Sequence, residues 1–156
     1  MMRLCTVIAA ATLAFAPTVC VAGETLLTFS HDSQVSEFDM EALVAMGAVE
    51  ISTTTIWTEG VQTFTGVSLN TFLEVIGVNE GTLKATAIND YAVEIPLEDA
   101  VDGGPILAYL SNGVPMSVRE KGPIWIVYPY DSDPKYQTEV IYSRSIWQLD
   151  RLETIE

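Results

Sequence analysis

The sequence predicts a single α+β domain, with a mostly antiparallel, barrel-like sheet and two or three short helices. Three observations carry this. Short runs of β-branched and aromatic residues recur along the chain, each bounded by Gly, Pro, Asn or Asp. The segment Leu69, Phe72, Leu73, Ile76 has helical spacing. No repeat, low-complexity tract or linker divides the chain.

Taken in order, Glu24 to Phe29 alternates with period two and predicts an opening strand. Asp39 is placed to cap a short helix, Glu41 suits its positive end, and Gly47 stops it. Ala48 to Ile56 is rich in β-branched residues and predicts a strand, followed by a polar loop from Trp57 to Gln62. Ser68 is placed to cap the helix ended by Gly77. Leu83–Ile88 and Tyr91–Ile95 predict strands around an Asn89-Asp90 turn, and Pro96 to Asp102 a short helical turn. Ile106–Leu110 and Val114–Val118 flank Asn112-Gly113, a strong type I′ hairpin signal. Gly122 to Tyr128 predicts a buried strand, Asp131 to Pro134 a turn, and residues 139–149 a further strand.

The first 22 residues are expected to be a signal peptide, with the domain spanning 23–156. Arg3 is a basic n-region, Leu4 to Ala16 an apolar core, and Cys20-Val21-Ala22 a cleavage site. The lipoprotein alternative, with acylation at Cys20, is opposed by the bulk of Val19. Cys5 and Cys20 are the only cysteines, so the mature chain would carry neither disulfide nor thiolate ligand.

The chain has 7 Lys+Arg against 21 Asp+Glu, a net charge of −14. This disfavours nucleic acid and anionic membranes as partners. A single histidine, His31, and no mature thiol leave no zinc or copper ligand set. No nucleophile elbow, dinucleotide fingerprint or phosphate loop is present. Asp131-x-Asp133 lacks the later ligands of a calcium loop. No catalytic residues are assigned.

The residues that could act together are aromatic and polar. Trp57 lies in a polar loop, Asn89-Asp90-Tyr91 forms a turn, Trp125 and Tyr128 share a strand, and Arg144-Ser145-Ile146-Trp147 follows. A flat heteroaromatic ligand needs a π-face and a few fixed donors and acceptors at its edge. The binding candidates are Trp57, Asn89, Asp90, Tyr91, Trp125, Arg144, Ser145 and Trp147. Core packing stays open for Trp125 and Trp147, and an internal salt bridge for Arg144.

Five segments in order resemble the molybdopterin-binding oxidoreductase domain of the sulfite oxidase family. They are Phe64-Thr65-Gly66-Val67-Ser68-Leu69, Asn89 to Leu97, Leu107 to Met116 around Asn112-Gly113, Gly122-Pro123-Ile124 through Tyr128-Pro129, and Arg144-Ser145-Ile146-Trp147. The resemblance covers residues 38–152 and implies that family's fold. It places the molybdenum-ligating cysteine near Thr53 or Thr54, a strand arginine at Trp125 and a lysine at Trp147. A hydroxyl is a far poorer molybdenum ligand than a thiolate. Two tryptophans in place of two cations favour a neutral flat ring over an anion. The pattern is most similar to a branch of small periplasmic proteins that bind a free pterin rather than the metal-bearing cofactor. The resemblance implies that such a protein engages the periplasmic domain of a membrane-bound cyclic-di-GMP enzyme. A molybdopterin-dependent periplasmic oxidoreductase is the alternative.

Overall fold

Strict alternation over Thr82–Ala87, with Leu83, Ala85 and Ala87 buried, seats this strand inside the first of two sheets, with one face on the core. A computed structural model describes residues 23–155 of the chain. The expected signal peptide lies outside the described residues. The first sheet holds β1 (Leu27–His31), β2 (Gln34–Phe38), β5 (Thr82–Ala87), β6 (Ala92–Pro96) and β10 (Leu149–Ile155), in the order β2-β1-β10-β5-β6. Only β1 with β10 is a parallel pair in this sheet. The second sheet runs β3 (Val49–Thr53), β4 (Gln62–Ser68), β7 (Ile106–Ser111) and β8 (Val114–Pro115), with β9 (Trp125–Val127) also paired to β7. Its ladders are all antiparallel.

Three short helices complete the domain: α1 (Met40–Ala45), α2 (Leu69–Ile76) and α3 (Glu139–Arg144). The Asp39 carboxylate caps α1 by accepting the Ala42 N–H at 2.8 Å. Helix α2 buries Leu69, Phe72 and Leu73, and Gly77 closes it in the left-handed conformation. Ser68 sits at its N-cap without a side-chain hydrogen bond. The first turn is held instead by the main chain, as the Leu69 N–H donates to the Pro105 carbonyl at 2.9 Å. Phe72 packs edge-on against Phe29 and Phe38, with centroids at 5.9 and 5.3 Å, which joins α2 to the first sheet.

The sequence expectation fails at one place that matters. Residues 139–149 are not a strand. Thr138 caps a helix, its hydroxyl accepting the Ile141 N–H, and the strand β10 begins only at Leu149. Ile141 faces the core while Val140 is exposed, a helical period too short to stand out beside the β-branched composition. Strands β2 and β4 are not among the elements the sequence predicts. The Asn112-Gly113 hairpin forms as expected, with φ of 50° and 78°.

Gly66 shows how close the β4 and β7 backbones come. A Cβ there would run into the Leu107 carbonyl and lie 2.7 Å from the Ala108 Cα. Gly66 follows a register irregularity at Thr65. Gly66→Ala is therefore expected to cost roughly 2 kcal/mol or more, as overpacking does. Chemical denaturation should show a lower midpoint with an unchanged slope.

Candidate functional site

The two sheets meet along residues 146–149. The Ile126 N–H donates to the Ile146 carbonyl, the Leu149 N–H to Ile124, the Gln148 N–H to Lys121 and the Ile88 N–H to Gln148, each at 2.9 Å. A cleft of about 370 Å³ opens beside this seam. Trp57 reaches it from the β3–β4 loop, Asn89 and Tyr91 from the β5–β6 turn, Tyr142 and Ser143 from α3, and Trp147 and Gln148 from the seam. Its size lies within the range of small-molecule sites.

Trp57 is the hub of the aromatic wall. It meets Trp125, Trp147, Tyr142 and Tyr130 edge-on, with centroids at 5.8, 5.4, 5.8 and 6.3 Å. Each such pair is worth about 1 kcal/mol beyond burial, so the hub is a well-determined position despite lying in a loop. The Trp57 N–H donates to the Thr55 hydroxyl at 3.1 Å. Trp125 is buried behind it and donates its indole N–H to the Ser145 carbonyl at 3.2 Å.

The loop is fastened at its start. The Asp131 carboxylate accepts the Thr54 N–H at 2.6 Å and the Thr54 hydroxyl at 2.7 Å, and the Asp131 N–H donates to the Thr53 hydroxyl at 3.1 Å. The Thr54 hydroxyl bond, followed by the Thr54 N–H bond, holds the Asp131 carboxyl below its usual value of 3.8. Both hydroxyls at the position expected for the family's thiolate are thus committed to Asp131 or the main chain. Among the described residues, no group of three His, Cys, Asp or Glu converges on a point. This donor set does not fit a molybdenum centre.

The predicted site residues divide into three groups. Trp57, Asn89, Tyr91, Ser145 and Trp147 line one cleft, although they span 90 positions of sequence and three separate segments. Ser145 lines it as a buried support: its hydroxyl donates to the Ile141 carbonyl at 2.8 Å and accepts from the Tyr130 hydroxyl at 2.7 Å. Burial pushes the Tyr130 phenol up to about 12. Trp125 forms the wall behind Trp57 and lines a second cleft on its other side. Asp90 and Arg144 do not line the first cleft. Asp90 accepts from Arg151 at 2.8 Å and fixes the turn. Arg144 donates to both Asp99 oxygens, at 2.9 and 3.1 Å, and the Tyr128 hydroxyl donates to the same carboxylate at 2.8 Å. The internal salt bridge left open for Arg144 in the sequence is the one that forms. Burial, then the Asp99 charge, raises the Tyr128 phenol well above its usual range.

Sequence reasoning missed Tyr142, Ser143 and Gln148, because a strand over 139–149 gives these side chains other directions. The Thr138-Glu139 pair was the available signal, a cap followed by an acid in the first turn. The cleft edge is therefore neutral. Asn89 accepts the Tyr91 N–H on its carbonyl oxygen and Gln148 donates one amide N–H to the Val118 carbonyl, which leaves the Asn89 NH2 group and the Gln148 amide oxygen without a protein partner among the described residues.

The sequence matches the family model described as oxidoreductase molybdopterin binding domain over residues 45–131, more than half of the chain. No functionally curated protein matches it. Among solved structures, the fold is similar to the sulfane dehydrogenase SoxCD from Paracoccus pantotrophus, with a TM-score of 0.63 and 18% identity. That match covers 84% of this chain and 38% of the SoxCD chain, so this chain spans well under half of that relative's length.

Two measurements check this geometry. Arg144→Ala strips a cation from the partly buried Asp99 and should destabilise the fold by about 1–3 kcal/mol in denaturant titrations. Its effect on ligand affinity should be the smaller one. Asp131 has a depressed folded pKa, so its stabilising effect is full above 3.8 and fades as pH falls through the lower folded value. The stability gap between wild type and Asp131→Ala should be constant above about pH 5 and shrink below pH 3.8.

Proposed function

The chain belongs to the oxidoreductase molybdopterin binding domain family, and from that membership we propose that it is a periplasmic pterin-binding sensor rather than a molybdenum enzyme. The observation that carries this reading is the pairing of an aromatic cleft with a hydroxyl-and-carboxylate clamp where a metal thiolate would be needed. A metal-free pterin needs what the cleft offers. Its bicyclic ring is flat and apolar on its faces, and indole and phenol rings at Trp57, Trp147 and Tyr142 supply the walls. Its edge carries amide-like donors and acceptors, which the Asn89 and Gln148 amides and the Ser143 hydroxyl complement without a net charge.

The regulatory part of the proposal is that the loaded protein binds the periplasmic domain of a membrane-bound cyclic-di-GMP enzyme and changes its activity. The Trp57 loop supports this, since it forms one wall of the cleft while exposing Ile56 and Val61 to solvent. A surface with apolar side chains in reach of the ligand can differ between loaded and empty protein. Export to the periplasm follows from the leader expected over residues 1–22.

A second reading, a molybdopterin-dependent oxidoreductase, is favoured by the likeness in fold to a dehydrogenase. The donor set at Thr53 and Thr54 opposes it.

The deciding experiment uses protein purified from the periplasm without added ligand. Denaturation should release a fluorescent pterin identifiable by mass spectrometry, with no stoichiometric molybdenum in the same sample. Molybdenum with a pyranopterin would replace the sensor reading by the oxidoreductase one. Trp57→Ala and Trp147→Ala should each weaken pterin binding about tenfold or more, from a lost stack of about 1 kcal/mol plus lost burial.

A further inference from the structure

Lys121 occupies an unusual position for a cation in so acidic a chain. Its ammonium lies over the Trp147 indole at 5.0 Å and the Trp125 indole at 5.7 Å. Among the described residues it makes no ion pair, although the chain carries 21 acidic groups. Arg119 and Lys135 are likewise unpaired, but neither lines a cleft with the aromatic wall. Lys121 does. With Ser111, Asn112, Glu120 and Trp125 it lines a second cleft of about 440 Å³, and Trp57 is the wall shared with the first.

The backbone fixes Lys121 at that junction. Its φ is 74°, and its carbonyl accepts the N–H of Gln148, whose φ is 53°. Two non-glycine residues in the left-handed region, each costing on the order of 1 kcal/mol, are thus bonded together between the clefts. Gln148 lines the first cleft and Lys121 the second. The adjacent acid, Glu120, does not neutralise the ammonium. Its carboxylate accepts from the Ser117 hydroxyl at 2.9 Å and closes a capping box on its own turn.

We infer that the second cleft is a subsite for a carboxylate carried on a substituent of the ring held in the first cleft, with Lys121 as its counter-ion. This rests on the pterin reading. The distances make it reachable: the ammonium is 5.0 Å from the centre of an indole that itself walls the ring cleft. The charge balance sets the class of anion. One unpaired ammonium offsets one negative charge. With Glu120 lining the same cleft, a phosphate dianion would leave a larger negative excess there than a carboxylate does, in a chain of net charge −14. Ser111, whose hydroxyl makes no hydrogen bond among the described residues, adds a neutral donor to the same cleft.

The test compares pterin-6-carboxylate with 6-methylpterin by quenching of tryptophan fluorescence, in wild type, Lys121→Gln and Lys121→Arg. Wild type should prefer the carboxylate by about tenfold, the size of one charge-assisted hydrogen bond. Lys121→Gln should reduce that preference to about twofold or less while leaving 6-methylpterin binding unchanged, and Lys121→Arg should restore it. Equal binding of both pterins by wild type, or a preference that survives Lys121→Gln, overturns the subsite and leaves the pterin reading intact. Failure of both pterins to bind overturns the pterin reading and the subsite with it.

Discussion

Three main-chain hydrogen bonds join residues 146–149 to Lys121, Ile124 and Ile126 and so link the two sheets, while a fourth, from Ile88, ties Gln148 to the first sheet. Each bond is worth little net, about 1 kcal/mol, but left unmade at a buried seam each would cost more. The segment cannot satisfy these partners as a continuous ladder. It is forced through Gln148 in the left-handed conformation, and strand β10 resumes with a register irregularity between Leu149 and Arg151. The chain thereby leaves α3 on one side of the seam and Lys121 on the other. Side chains from α3, from the β5–β6 turn and from the β3–β4 loop then converge where no single element could bring them.

Charge is distributed around the seam with the same economy. The acidic excess lies mostly on exposed positions, while the groups that face the aromatic hub are neutral or spoken for. Arg144 is satisfied by Asp99, whose carboxylate also accepts from the Tyr128 hydroxyl, and this ties the C-terminal end of α3 to the helical turn at Leu97–Asp99. A cation near a helix C-terminus is also favourably placed against the helix dipole. Arg151 plays the matching part for the β5–β6 turn, donating to Asp90, Asp150 and the Ala87 carbonyl. These two arginines act as fasteners for the elements that carry cleft residues. Lys121 is the cation that remains available at the aromatic wall.

Much of this was legible in the sequence, for identifiable reasons. The hairpin at Asn112-Gly113 and the helix ending at Gly77 are local signals, and local signals survive folding. Trp57 stands out in the sequence because a large ring in a polar loop has few other uses, whereas for Trp147 core packing stayed open. What failed was anything needing a partner distant in sequence. Arg144 looked like a ligand contact because Asp99 is 45 positions away. Asp131 reads as a turn residue, which it is, but its bonds to Thr54, 77 positions away, were not legible. The helix α3 was hidden because six residues are too few to show a period and Val140 and Ile141 are β-branched.

The same long-range bonds bear on how a ring in the cleft could be felt elsewhere. Trp57 is held by four edge-on contacts within the aromatic wall, yet its loop is anchored to the rest of the chain chiefly at Thr54, through an exposed carboxylate. Occupancy of the cleft acts on Trp57, and the residues on either side of it, Ile56 and Val61, are exposed to solvent. A ligand can shift such a loop only by as much as it binds one arrangement better than another. Direct stacking on Trp57 meets that condition, because the contact is made by the residue that would have to move. A contact confined to Asn89 or Gln148 meets it less well, since both side chains are already held by hydrogen bonds to the main chain. On the proposed function, the requirement for signalling and the requirement for affinity would therefore fall on one side chain.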